Sequence, residues 1–102
     1  LWRRVLEESD FAAGCPIVAA ALEGDRSPGA REAAAETFGE WRRLLTDAFG
    51  KAGLSAGEAA SMATLFIAAI EGAIVLARAQ RSIEPLTEVA GELQGLVKNA
   101  LP

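Results

Sequence analysis

Met62-Ala-Thr-Leu-Phe-Ile-Ala-Ala-Ile-Glu-Gly-Ala-Ile-Val-Leu-Ala77 is apolar almost without interruption, with Thr64 and Glu71 its only clearly polar members. Just upstream, Ser55 stands three residues before Glu58. That spacing predicts a capping box, in which each side chain satisfies a free backbone N–H at a helix start. The chain from Ala59 to Arg81 therefore reads as one helix, apolar nearly all round, and such a helix must be buried on most of its faces. A chain of 102 residues has little else to cover it with. The sixteen-residue run falls short of the roughly 20 needed to cross a bilayer and carries Glu71 inside it, so a partner chain is the expected cover.

Working outward, the length predicts one domain over 1–102. Hydrophobic residues make up 51%, too many for a disordered chain. The net charge is −4 and the ten Lys and Arg are dispersed, so this chain by itself is not expected to grip nucleic acid, which takes a concentrated basic face. A single Cys allows no internal disulfide and fits the cytoplasm. Leu1-Trp2-Arg3-Arg4 has no apolar signal region and reads as the inside of an amphipathic helix, so the chain reads as part of something longer.

The remaining segments also read as helical. Leu1 to Glu8 resembles the last turns of a helix, and Ser9 to Gly14 a connector. Pro16, a residue suited to a first helical turn, opens a short Ala-rich helix to Glu23. Gly24 to Ser27 is turn-like, and Ser27-Pro28 predicts a second cap-plus-proline start. The helix after it runs to about Ala52, with Ala34, Phe38, Trp41, Leu45, Ala48 and Phe49 on one face. Gly53 supplies a left-handed stop against which Leu54 can fold back. Past a corner at Ser82–Pro85, the last helix reaches about Leu101. Leu86, Val89, Leu93, Leu96 and Val97 there repeat at bundle spacing. No useful stretch alternates with period two, so the expected class is all-α, an antiparallel helical bundle.

Within the long apolar helix, Met62, Phe66, Ile70, Ala73 and Ala77 form one stripe, and Leu65, Ala69, Gly72 and Leu76 a second. A mid-helix glycine costs about 1 kcal/mol relative to alanine, and close approach of another backbone would explain Gly72. The first stripe is assigned to the chain's own core or pocket. The second goes to a partner, joined by Leu86, Val89, Leu93 and Leu96. Both stripes lying in one intramolecular core is the competing reading.

Phe11-Ala-Ala-Gly-Cys-Pro16, Phe38 with Trp41, and Ile70-Glu-Gly-Ala-Ile-Val-Leu-Ala-Arg78 together resemble the C-terminal regulatory domain of TetR/AcrR-family transcriptional regulators, in particular the LmrA/YxaF-like group. The resemblance covers about residues 9 to 101. It implies a tetracyclin repressor-like C-terminal fold that homodimerises through its last two helices and binds a small hydrophobic effector. It also implies a parent repressor whose separate helix-turn-helix domain binds operator DNA and releases it when the effector binds. Phe11, Phe38, Trp41, Leu45, Met62, Phe66 and Ile70 are the candidate pocket lining, with Glu71 as a residue to pair structurally with Arg78, Arg42 or Arg43, or to orient a ligand. Plain core packing competes with the pocket for each aromatic. Cys15, at a helix start, is read as a small buried residue, with a dipole-activated thiolate as the rarer case. With no His, no Tyr and no metal-ligand cluster, neither an enzyme nor a metal or other cofactor is expected. The alternative to a sensor is a helical dimerisation module that binds no ligand.

Overall fold

The computed structural model describes every residue except Ala12 and 24–27. Its described residues form five helices and no strand: α1 (Trp2–Glu8), α2 (Pro16–Glu23), α3 (Ala30–Ala52), α4 (Ala56–Gln80) and α5 (Glu84–Ala100). The fold is therefore all-α. Helix α4 is the spine. It packs against α3 and α5 and touches α1, while α2 lies on α3.

The helix ends follow from local chemistry. Ser55 caps α4: its Oγ accepts the Glu58 backbone N–H at 3.3 Å. The reciprocal half of the expected box does not form, because the Ser55 hydroxyl donates to Glu58 Oε1 at 2.9 Å and holds that carboxylate beside the cap. The start of α3 also differs from expectation. Pro28 and Gly29 make a turn, with Gly29 at φ 89°, and the helix begins at Ala30. Ser27, the expected cap, lies outside the described residues, as does the turn predicted at 24–27.

Three helices end in the same paired hydrogen bonds. Past α3, Leu54 N–H donates to Phe49 O and Gly53 N–H to Gly50 O, the Schellman pattern that satisfies orphan carbonyls. Ser82 and Arg81 close α4 onto Ala77 and Arg78 in this way, and Phe11 and Asp10 close α1 onto Leu6 and Glu7. Only Gly53 is a glycine; Asp10, Phe11 and Arg81 take positive φ as well. Arg81 fastens that first corner, pairing with Asp10 at 2.6 Å and lying 5.9 Å from the Phe11 ring centre. At Gly53, φ is +121° and a β-carbon would meet Pro102 Cγ at 2.9 Å. Gly53→Ala should therefore lower the unfolding free energy by about 1–2 kcal/mol, read as a lower urea midpoint with unchanged slope.

The buried core is thin. Leu6 and Ile74 are the largest fully buried side chains, joined mainly by alanines of α3 and α4 (Ala34, Ala59, Ala63, Ala73, Ala77) and by Leu54 and Leu93. Extents of 41 × 33 × 16 Å make a slab, and the radius of gyration is 14.9 Å where about 13 Å is usual for this length. The accessible surface is 6753 Å². A compact monomer of this mass exposes about 5,500 Å², so the excess is on the order of 1,000 Å².

The whole of α4 is longer than its apolar run. At 25 residues it is long and apolar enough, by length and composition, to cross a bilayer, so the shortness of the run does not by itself exclude that. Length and composition decide little here, because the core helix of a soluble protein meets the same test. One side of α4 is packed within the protein, and Glu71 interrupts the apolar surface.

Candidate functional site

Helices α3 and α4 lie together along much of their length and are fastened at two points. Near the α3–α4 corner, Phe49 and Phe66 meet edge to face with ring centres 5.0 Å apart. Further along, Arg42 Nε donates to Thr64 Oγ1 at 2.8 Å. Between the helices is a cavity of about 430 Å³, within the range of small-molecule sites. Trp41, Leu44 and Leu45 line it from α3, and Phe66, Ile67, Ile70 and Glu71 from α4; Trp2 of α1 adds a wall. The spacings explain the grouping. Residues three and four apart share a helix face, so 41, 44 and 45 meet 66, 67, 70 and 71 across one groove.

Five of the eight expected pocket residues thus share one cavity: Trp41, Leu45, Phe66, Ile70 and Glu71. The other three do not line it. Phe38 stands one turn before Trp41 and packs edge-on against its ring, 5.4 Å between centres, which holds the indole in place. Phe11 is carried to the far end of α4, beside Val75, Arg78 and Ala79, because the turn after α1 points its ring toward Arg81. Met62 is half-buried one turn before Phe66. Trp2, Leu44 and Ile67 are additions. Leu44 and Ile67 sit next to predicted residues and were legible as flanks of the same faces. Nothing in the sequence near Trp2 ties it to α3 and α4.

Glu71 is the polar point of the site. Its Oε2 is buried and has no hydrogen-bond partner. Arg42, one of its expected partners, is hydrogen-bonded to Thr64 instead, and the Arg78 side chain lies over Gly14 in the space a β-carbon there would take. The neighbour Glu71 does have is Cys15, whose thiol hydrogen-bonds to its carboxylate. Burial is the main cause that raises the Cys15 pKa above its ordinary value, and the Glu71 hydrogen bond and charge add to it. Backbone N–H groups of Val18 and Ile17 oppose the rise without reversing it. Cys15 is thus the small buried residue the sequence predicts, and the upward shift of its thiol runs against the rarer reading of a helix-activated thiolate.

The residues assigned to a partner divide by position. Leu65, Gly72 and Leu76 are exposed on α4, and with Ala68, Val75 and Ala79 they make a continuous uncovered stripe. A β-carbon on Gly72 would meet nothing within 4 Å, so no close approach inside this chain explains that glycine. Ala69 is half-buried. On α5, Leu96 is exposed and Leu86 and Val89 are half-buried. Leu93 is 5% exposed and belongs to the chain's own core, so it cannot serve as open interface.

An all-helical bundle with an apolar cavity between two facing helices defines a class, the α-bundle domains whose ligand sites form in this position. The particular family follows from comparison. Residues 1–92 match the family described as transcriptional regulator LmrA/YxaF-like, C-terminal domain, and the chain belongs to that TetR group. Two curated relatives are HTH-type transcriptional regulators of Mycobacterium tuberculosis, one from strain CDC 1551 / Oshkosh and one from strain ATCC 25618 / H37Rv. Each is 37% identical over 107 residues, covering 99% of this chain and 55% of the relative. The chain therefore spans about half the length of these relatives. No solved structure matches it.

Proposed function

We propose that this chain is the effector-binding and homodimerisation part of a cytoplasmic transcriptional repressor, one that releases its operator when a small apolar molecule binds. One observation carries the reading: α4 turns one face into the α3–α4 cavity and leaves another, apolar face uncovered. A second copy fits that uncovered face by area. The excess surface is close to what one subunit contributes to an obligate homodimer, roughly 1,000 Å² or more per partner. Operator DNA would be held by the rest of the parent protein, as the HTH-type relatives suggest. No catalytic step is assigned to the chain.

The physical link between the two faces is α4 itself. A ligand beside Phe66 and Trp41 would shift or rotate that helix and so change the angle between subunits. Half-sites on DNA lie about 34–36 Å apart, so a modest change in separation breaks simultaneous contact. The ligand acts only through unequal affinity for the two arrangements, typically 1–3 kcal/mol of coupling.

Trp41→Ala removes the largest wall of the cavity on α3 and touches nothing on the uncovered stripe. It should weaken binding of a responsive hydrophobic compound by about tenfold or more, with sedimentation unchanged. Calorimetric titration against a panel of hydrophobic compounds reads the first and velocity sedimentation the second. If no compound separates the variant from wild type, the ligand role fails and a plain dimerisation module remains.

A further inference from the structure

We propose that the α3–α4 cavity takes a lipophilic organic monocation, an ammonium or amidinium group on an apolar body, with Glu71 as its counter-charge. The proposal rests on the reading of this cavity as the effector site and adds the chemical class of the ligand. Its basis is the contrast inside the cavity. Seven of the eight lining residues are apolar or aromatic, and the eighth is a carboxylic side chain whose Oε2 is buried with no partner. An unsatisfied buried acceptor is costly, so a ligand that supplies a donor there offsets that cost. The Cys15 thiol, at the start of α2, is a neighbour of the same carboxylate.

Charge and ring chemistry select a cation over a neutral donor or an anion. A charge-assisted hydrogen bond to carboxylate is roughly twice as strong as a neutral one. Trp2, Trp41 and Phe66 add aromatic faces, which attract a cation electrostatically and a neutral group only by contact. An anionic ligand would meet Glu71 as a like charge with no compensating lysine or arginine among the lining residues.

The test is a matched set of probes on one naphthalene body: 2-naphthylmethylammonium, the neutral 2-ethylnaphthalene and the anion 2-naphthylacetate. Each is titrated into the wild-type chain with tryptophan fluorescence and calorimetry as readouts. The ammonium should bind about tenfold or more tighter than the hydrocarbon, with the carboxylate weakest. Glu71→Gln, checked for unchanged helicity, should bring the ammonium within about threefold of the hydrocarbon and leave the hydrocarbon itself unaffected. Should the hydrocarbon bind wild type as well as the ammonium does, the cation reading is overturned while the cavity remains a ligand site. Should none of the three bind, both readings fall together. An ammonium preference that survives Glu71→Gln would remove Glu71 as its source. The wild-type comparison stands by itself if the variant does not fold.

Discussion

Leu76→Asp is expected to convert a dimer into a monomer while leaving the helices in place. Leu76 is 48% exposed within its own chain, so the folded protomer has room and water for the new carboxylate. Against a second copy, that carboxylate would lie inside an apolar contact without a partner, a burial that costs several kcal/mol. A two-fold interface uses the same patch on both subunits, so the penalty is met twice. The dissociation constant should rise by about 100-fold or more, which carries a micromolar sample from dimer to monomer in analytical ultracentrifugation. Gly72→Trp tests the same face by bulk instead of charge. Its β-carbon has open space in the protomer, so loss of the dimer without loss of helicity would place the partner over Gly72. A wild-type chain that sediments as a monomer at micromolar concentration removes the dimer from the proposal.

Ile74→Ala should have the largest effect on stability of any truncation to alanine in α4. Ile74 is 1% exposed and, with Leu6, is one of the two largest fully buried side chains. Truncating a buried isoleucine to alanine removes its transfer free energy and leaves a cavity, about 2–5 kcal/mol together. Against an ordinary domain stability of about 5–15 kcal/mol, that is a large fraction. The core also offers little to collapse into the gap, since alanines supply much of it. Val75 is the internal control: one residue along and 53% exposed, its change to alanine should cost the protomer well under 1 kcal/mol. Both are measured by urea unfolding at one fixed protomer concentration, because a self-associating chain gains apparent stability by mass action. An Ile74→Ala loss no greater than that of Val75→Ala would mean that Ile74 is not core.

The pocket was half legible for an identifiable reason. Trp41, Leu45, Phe66 and Ile70 lie on amphipathic or large-residue stripes whose direction follows from helical period alone. Phe11 fails the same test because it belongs to a turn. Its position depends on a left-handed pair at Asp10 and Phe11, and on Arg81 in the turn that closes α4, far along the chain. Trp2 enters the cavity only because α1 comes to rest against α4. Glu71 stood out as a carboxylate in an apolar run, but its neighbour proved to be Cys15, a contact no periodicity encodes.

Local chemistry by itself determined the all-helical class, the short α2 from Pro16 to Glu23, the Ser55 cap and the stop at Gly53. Each depends on residues within a few positions of one another, and hydrogen bonds of that range form wherever the sequence permits. The start of α3 lies two residues past Pro28, the helix opener the sequence predicts, because Gly29 takes a positive φ. What α4 does with its faces was left to the tertiary structure. An apolar surface that runs all round a helix carries no direction of its own. Helical period separated Phe66, Ile70, Ala73 and Ala77 from Leu65, Gly72 and Leu76, but only the packing of α1, α3 and α5 divided the first set. It turned Ala73 and Ala77 into the core with Ile74 and left Phe66 and Ile70 with Glu71 along a cavity. Burial is a property of what arrives beside a residue, and what arrives is set by contacts distant in sequence.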